Sequence, residues 1–95
     1  MTQTTNNFER LTATPKLIRK ATPNRVAYIV QNQSTQSASL YIAAARFGDV
    51  REALEIEPSG ALVRDIFTPT GELWACTTAA GEAAGEGMTL AEDFQ

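Results

Sequence analysis

The chain has 95 residues, 43% of them hydrophobic and 20% charged, and its formal net charge is −3. This composition is typical of one small folded domain and excludes an intrinsically disordered chain. Histidine is absent and Cys76 is the single cysteine, which excludes an internal disulfide and a zinc site built from several cysteines. The usual catalytic base near neutral pH is therefore missing.

The beginning of the chain is polar. Residues 1–7 carry neither a charge nor an apolar core, unlike a secretory signal, so we expect synthesis in the cytoplasm. No run of residues is apolar enough for a membrane helix, and no membrane association is expected. Residues 1–14 are predicted to be a flexible arm, or a strand ordered only by a neighbour, with Phe8 and Leu11 as its large apolar side chains. A single domain is predicted to span residues 15–95.

From residue 15 onward, short apolar runs alternate with turn residues, a pattern that predicts β-strands. The predicted strands lie at residues 16–20, 25–31, 39–43, 52–57, 61–67, 72–78 and 88–92. The run 25–31 has Val26, Tyr28 and Val30 on one face and Ala27 and Ile29 on the other, which predicts a strand in the middle of a sheet. With the run 39–43 it is predicted to form a β-hairpin closed by a polar loop.

Helices are expected to contribute little. Residues 43–47 can begin a helical turn, which Gly48 and Asp49 end. The segment 79–87 contains only alanine, glycine and glutamate, and we predict a mobile turn there because each glycine weakens a helix by about 1 kcal/mol. Six to eight short strands with regular turns predict an all-β fold, a small antiparallel β-sandwich or jelly roll.

The charges are divided unevenly along the chain. Residues 1–51 hold seven basic and two acidic side chains, whereas residues 52–95 hold one basic and nine acidic side chains. Such a division can produce an electrostatic docking face. Antiparallel pairing of the two halves can equally interleave the charges and cancel the pattern, and the sequence leaves both interpretations open.

No residue pattern indicates catalysis, a cofactor or a metal. Cys76 lies at an apolar strand position without a histidine to activate it, so it is predicted to be a small core residue. Glu55 and Glu57 fall on one face of a strand, as two glycosidase acids can, but a solvated face explains them better. We therefore expect a protein without enzymatic activity.

Four basic residues near the start suggest an anionic partner. Lys16, Arg19, Lys20 and Arg25 can neutralise phosphates, but the isoelectric point of about 4.8 is unlike that of a nucleic-acid-binding module. An acidic protein partner fits these residues better, and direct nucleic-acid binding is not expected. The only tryptophan, Trp74, is expected either in the core or at a subunit contact.

Several segments together resemble one class of protein. They are Pro23-Asn24-Arg25 with the run to Asn32, Leu40-Tyr41-Ile42, Ile56-Glu57-Pro58-Ser59-Gly60, the run Thr68 to Ala75, and Leu90-Ala91-Glu92. This pattern, spread over residues 15–92, is similar to that of small virion proteins of tailed bacteriophages, the capsid decoration or cement proteins. The resemblance implies a β-sandwich or jelly roll that binds the major capsid protein, often as a homotrimer, on the outer capsid surface after synthesis in the host cytoplasm.

The resemblance implies no catalytic residues. For such a structural protein we expect Phe8, Arg10 and Leu11 to make contacts through the arm, and Tyr41 and Trp74 to lie near a subunit interface. A position at the phage neck or tail is an alternative.

A second hypothesis is a soluble carbohydrate-binding module. Jelly-roll folds include lectins, and Trp74, Tyr28 and Tyr41 can stack on sugar rings.

Overall fold

Eight β-strands dominate the computed structural model, which describes residues 3–34, 38–64 and 70–95. The strands are β1 (Gln3–Arg10), β2 (Lys16–Arg19), β3 (Arg25–Asn32), β4 (Leu40–Ala43), β5 (Leu54–Ile56), β6 (Ala61–Arg64), β7 (Leu73–Thr77) and β8 (Gly87–Phe94). A 3₁₀ helix at Val50–Glu52 and helix α1 at Ala79–Ala83 complete the regular structure of the described residues. None of these helices is long and apolar enough to cross a membrane.

The strands form two four-stranded antiparallel sheets. The first sheet has the order β1-β8-β3-β6, and the second has the order β2-β7-β4-β5. Alternate residues of both sheets point inward and form one apolar core. Its buried members are Leu11, Ile18, Tyr28, Val30, Leu40, Ile42, Ile56, Leu73, Ala75, Met88 and Leu90. The predicted all-β sandwich is confirmed.

Strand β3 is an inner strand of the first sheet, as its two apolar faces predict. Its face assignment is wrong at one position: Val26 is 36% exposed, whereas Tyr28 and Val30 are buried. The register between β3 and β8 shifts between Arg25 and Ala27, and this irregularity turns Val26 away from the core.

The predicted hairpin between β3 and β4 is wrong, because the two strands belong to different sheets. The chain crosses from one sheet to the other after Asn32, whose side chain is buried there. Its Nδ2 donates to the carbonyls of Ala38 and Ile56, both at 2.9 Å, and its Oδ1 accepts from the Ser34 N–H at 3.0 Å. These bonds satisfy the buried amide and tie the crossing to β5.

The segment predicted to be an arm is part of the sandwich. Strand β1 pairs with β8 from Gln3 to Arg10, and Leu11 after it is only 1% exposed. The described part of the predicted arm is thus an edge strand of the first sheet. Burial of Leu11 and eight residues of regular pairing fix this segment without a neighbouring molecule.

The mobile turn predicted at residues 79–87 is also wrong, because helix α1 and the start of β8 lie there. Thr78 caps the helix, its side chain accepting from the Gly81 N–H at 3.0 Å. Gly81 is buried, and a Cβ added to it would lie 2.9 Å from the Cβ of Ala38. The glycine that weakens the helix in isolation is thus the residue that lets it pack closely.

Other boundaries differ by a few residues. The helical turn predicted at 43–47 does not form, and the 3₁₀ helix starts later, after Asp49. Strand β6 ends at Arg64, and residues 65–67 of the predicted strand lie outside the described residues.

Candidate interaction surfaces

The outer face of the first sheet exposes large apolar side chains. We define the open face as Phe8 of β1, Ile29 and Ala27 of β3, Val63 of β6 and Ala91 of β8. Phe8 is 56%, Ile29 46% and Val63 54% exposed. An antiparallel sheet can present a solvated outer face, but that face is ordinarily polar. The open face departs from that pattern.

Strand register gives the open face its shape. Ile29 of β3 lies directly opposite Ala91 on one side and Val63 on the other. The small alanines leave a shallow depression of about 280 Å³, lined mainly by Ala27, Ile29, Val63 and Ala91 with Asp93 at its margin. A shallow apolar surface with a charged margin has the features of a protein contact rather than those of a deep ligand pocket.

A polar row borders the open face towards the end of β3. Gln33 donates from Nε2 to Thr89 Oγ1 at 2.9 Å and to Gln31 Oε1 at 3.3 Å. Thr89 and Gln31 face each other across β8 and β3. The mutual hydrogen bonds hold these polar side chains in place beside the row of Ile29, and the polar pair lies next to Phe8, which is opposite Thr89.

The outer face of the second sheet is covered by the chain itself. We define the covered face as Trp74 and Cys76 of β7 and Tyr41 of β4, which are half-buried or buried, whereas Leu17 of β2 beside them is 37% exposed. The guanidinium of Arg46 lies 6.0 Å from the centre of the Trp74 ring. Trp74 in turn donates from Nε1 to Glu72 Oε1 at 3.0 Å.

The loop at 44–49 provides this cover. It leaves β4, and Arg46, Phe47 and Gly48 line a depression together with residues 13–15, which precede β2. Because β7 lies between β4 and β2, the loop must cross β7 to reach those residues. Phe47 is 5% exposed and Cys76 is fully buried. The loop thus carries a buried aromatic side chain beside residues 13–15, on the far side of β7 from β4.

Cys76 is buried as predicted, though on the outer face of β7 rather than in the main core. Burial raises the pKa of the Cys76 thiol above its ordinary value of 9.0. The thiol is therefore protonated at neutral pH, when it is a poor nucleophile and a poor metal ligand.

Four charged side chains form an ion cluster between the sheets, composed of Glu9, Arg19, Arg25 and Glu92. Glu92 accepts from Arg25 Nε and from Arg19 Nε, both at 2.9 Å, and Arg19 Nη1 donates to Glu9 at 2.9 Å. Arg25 and Glu92 are each 2% exposed. Burial by itself lowers the pKa of Arg19, but its hydrogen bonds to Glu9 and Glu92 outweigh this and raise it.

The ion cluster shows what happens to some of the charges that are divided unevenly along the chain. Arg19 and Arg25 from the first half are balanced by Glu92 from the second half and by Glu9 from their own half, so the cluster is neutral and these two basic charges do not add to a docking face. It also separates the four residues considered for phosphate binding. Arg19 and Arg25 are engaged inside the cluster, whereas Lys16 and Lys20 lie at the edge formed by β2. The sequence did not identify this cluster, because its members are far apart in the chain.

The predicted interface residues do not form one surface. Phe8 and Arg10 are exposed on β1, and Phe8 belongs to the open face. Leu11 lies in the core at 1% exposure, where it is not accessible to a partner. Tyr41 and Trp74 are half-buried on the covered face, where the strand register makes them diagonal neighbours.

Ile29 and Val63 are exposed apolar residues of the open face that the sequence analysis did not single out. Their signal was present, because β3 was recognised as apolar on both faces. Apolar residues on both faces predict an inner strand, and an inner strand can still have one face open to solvent.

The pair Glu55 and Glu57 is exposed, and Glu55 accepts a hydrogen bond of 2.6 Å from the Ser39 hydroxyl. Nothing in this geometry distinguishes it from an ordinary solvated strand face. Within residues 3–34, 38–64 and 70–95, no group of three or more histidine, cysteine, aspartate or glutamate side chains is arranged to hold a metal ion. Comparisons with protein-family models, with curated proteins and with solved structures gave no match to the chain.

Proposed function

We propose that this protein is a non-enzymatic structural component of a bacteriophage virion that binds the major capsid protein lattice and decorates or cements the capsid. The observation that carries the proposal is the open face, where Ile29 and Val63 expose apolar surface beside the small side chain of Ala91. The resemblance of the sequence to phage capsid decoration proteins suggests that the binding partner is a capsid lattice.

The open face suits a repeated, individually weak contact. Partial burial of the isoleucine and valine side chains contributes about 1–2 kcal/mol each, which gives a weak contact by itself. A lattice multiplies such contacts, and attachment at several points makes the whole assembly tight. The rigid sandwich supports this use, because the open face lies on hydrogen-bonded strands and not on loops.

We propose further that the copies bound to the capsid lattice form a homo-oligomer, for which the resemblance implies a trimer. The second sheet offers a feature that supports head-to-tail contacts. Its β2 edge carries Lys16, with Lys20 just beyond the strand, and its opposite β5 edge carries Glu55 and, just beyond the strand, Glu57. Opposite charges on opposite edges attract neighbouring copies arranged in a ring.

The first test is the copy number of this protein in purified particles of the virus that encodes it, measured by quantitative mass spectrometry against the major shell protein. A copy number approaching that of the shell protein supports capsid decoration. A copy number matching a single ring points to the neck or tail. Absence from the particles would overturn the virion role.

The second test locates the contact. Particles lacking the protein are mixed with purified wild-type or variant chains, and the bound fraction is measured by sedimentation. We expect Ile29→Gln to weaken binding about tenfold, since the polar amide forfeits roughly 1.4 kcal/mol of apolar burial. Leu54→Gln is the matched control, because Leu54 is 52% exposed on β5, away from the open face. Equal losses in both variants would argue against the open face as the contact.

A carbohydrate-binding module is the second candidate, and the adjacency of Tyr41 and Trp74 favours it. The third aromatic residue considered for sugar stacking, Tyr28, is 4% exposed in the core and cannot contribute. Titration with simple sugars tests this candidate, because a sugar that displaces Arg46 from the Trp74 ring changes the tryptophan fluorescence.

A further inference from the structure

The four sheet edges differ in how well they are protected against pairing with another strand. The β2 edge carries Lys16 and Arg19, and β5 is only three residues long with Glu55 at its centre. The β6 edge has four residues and ends in Arg64. Charged residues and short length are the devices by which proteins discourage edge-to-edge association.

Strand β1 has none of these devices over most of its length. It spans eight residues, Gln3–Arg10, and its first charged residue is Glu9. It contains no proline, and its pairing with β8 runs without a bulge. Residues 5–8 are exposed at every position, so both faces of the strand are open to solvent there. A long, regular, uncharged edge is a template for another strand.

Hydrogen bonding shows which backbone groups are available at this edge. The Leu11 N–H donates to the Glu86 carbonyl at 3.1 Å, next to the end of β1, and the register continues from there. In an antiparallel pair, successive residues alternate between bonding to the partner and pointing away from it. The odd-numbered residues of β1 therefore bond to β8, and the N–H and C=O groups of Thr4, Asn6, Phe8 and Arg10 point to the open edge.

We propose that two copies of this chain pair through β1, antiparallel and about a twofold axis at Asn7. This register places all four edge-facing residues of each strand in hydrogen-bonded pairs, Asn6 with Phe8 and Thr4 with Arg10 of the other copy. About eight hydrogen bonds form between the copies. The two first sheets become one continuous eight-stranded sheet.

The charges on β1 favour this register over its alternatives. A twofold axis at Glu9 or at Arg10 would place two like charges directly opposite each other, which is destabilising. With the axis at Asn7, Glu9 lies opposite Thr5 of the second copy and Arg10 lies opposite Thr4. The charges therefore favour an axis among the uncharged residues 5–8, and within that range only the axis at Asn7 pairs all four edge-facing residues with one another.

Phe8 adds apolar burial to the contact. It lies on the open face at 56% exposure, and Gly87 of β8 allows its ring to lie close to the sheet, since a Cβ at Gly87 would be 2.9 Å from Phe8 Cζ. In the proposed register the two Phe8 rings are diagonal neighbours across the axis, within reach of an aromatic contact. This contact joins two copies of the open face and does not depend on what the open face binds.

The first experiment measures oligomeric state. Sedimentation equilibrium of the purified chain at micromolar concentration should give twice the chain mass of 10.3 kDa. Asn6→Pro removes an edge-facing N–H without touching the bonds to β8, and it should weaken self-association about tenfold or more. Val63→Pro is the matched control, because its N–H faces the open edge of β6, the other edge of the same sheet. A trimer, a monomer, or equal effects of both prolines would overturn the pairing.

The second experiment tests the register and does not depend on tolerance of proline. In Asn7→Cys the two sulfurs meet on the axis, where opposed Cα atoms lie about 4.5 Å apart, a distance that a disulfide spans. Oxidation should give a covalent dimer in non-reducing gels, and buried Cys76 does not compete. In Thr5→Cys the two sulfurs are four residues out of register, about 13 Å apart, and no dimer should form. Covalent dimers in both variants, or in neither, would contradict an axis at Asn7.

Discussion

The outer faces of the two sheets contain similar apolar residues but differ in their exposure to solvent. On the second sheet, the loop after β4 crosses β7 and leaves Cys76 without exposed surface. On the first sheet, Ile29 and Val63 remain about half exposed. Within the described residues, no loop comparable to that at 44–49 crosses the first sheet. The same sandwich therefore covers much of one apolar outer face from within and leaves the other exposed, as the proposed binding role requires.

The difference has a physical basis in connectivity. Strand β4 continues into a loop that is long enough to cross β7 and return to β5, and its Phe47 supplies the apolar cover. The inner strand β3 is followed instead by the crossing at Asn32, whose hydrogen bonds direct the chain to the second sheet. A β-sandwich needs only its inner faces to fold, so apolar residues left on an outer face point to a binding function.

The largest effect on stability should follow from truncating Phe47 in the loop that covers the second sheet. Phe47→Ala deletes a side chain that is 5% exposed, and we expect a loss of about 3–5 kcal/mol in the free energy of unfolding. Ile29→Ala on the open face should cost about 1 kcal/mol or less, because Ile29 is already 46% exposed. Urea denaturation of both variants measures the contrast. Phe47→Leu provides a milder second variant should the alanine chain fail to fold, and similar losses at both positions would refute the distinction between the two faces.

Chemical labelling of Cys76 reports on the same cover under native conditions. The thiol has no exposed surface and burial raises its pKa, so its reaction with an aromatic disulfide reagent should be about tenfold or more slower than that of a free thiol. The rate should rise with pH as the thiolate forms, and Phe47→Leu should accelerate it at every pH. Leu54→Ala, a truncation at an exposed apolar residue elsewhere, should leave the rate unchanged. Rapid labelling of the wild-type chain would show that the loop opens readily.

The sequence predicted the sandwich because its cause is local. Alternating apolar residues and turn residues identify strands regardless of how those strands pair, and the strong apolar pattern of β3 also placed it correctly inside a sheet. Which strands pair with one another was harder to predict from the sequence. The hairpin of β3 with β4 is the simplest connection, but the chain crosses to the second sheet after Asn32, and no local pattern reveals the buried hydrogen bonds that Asn32 makes there.

The interaction surfaces were harder to predict for a related reason. Exposure of Ile29 depends on whether another part of the chain crosses its sheet, and that is a property of the complete topology. The ion cluster likewise joins Glu9 and Arg19 to Glu92, which is 73 residues from Arg19 in the chain. A polar start such as residues 1–7 indicates an arm by composition, and only the register with β8 shows that it forms a strand.

A smaller effect is expected at the contact between Arg46 and Trp74, which tests whether the loop is held to the covered face by more than Phe47. Arg46→Ala removes a cation placed 6.0 Å from the indole ring and should lower the free energy of unfolding by about 0.5–1 kcal/mol. Tryptophan fluorescence should change as well, since the ring loses its neighbouring charge. Lys20→Ala, which removes an exposed cation from the β2 side, serves as the control and should alter neither property. An unchanged fluorescence spectrum in Arg46→Ala would show that the contact is not maintained in solution.

The smallest effect concerns the pH dependence of the loop that forms the cover. Hydrogen bonds from the Arg51 side chain and then from its backbone N–H lower the pKa of Asp49 below its ordinary value of 3.8, against a slight opposing effect of burial. A carboxylate with a depressed pKa stabilises the folded state above its unfolded pKa, and that stabilisation is lost as the pH falls through the lower folded value. The fluorescence of Trp74 should therefore be insensitive to Asp49 from neutral pH down to 3.8 and respond only below it.

Asp49→Asn isolates this titration, because asparagine still caps the 3₁₀ helix but carries no charge to lose. Glu72, which accepts the Trp74 indole N–H, is present in both chains, so any contribution from it cancels when the two acid titrations are subtracted. The difference should appear only below the ordinary pKa of aspartate. A difference that appears at higher pH would mean that Arg51 does not stabilise Asp49 as a carboxylate. The loop would then cover the second sheet without help from the Asp49–Arg51 ion pair at its end.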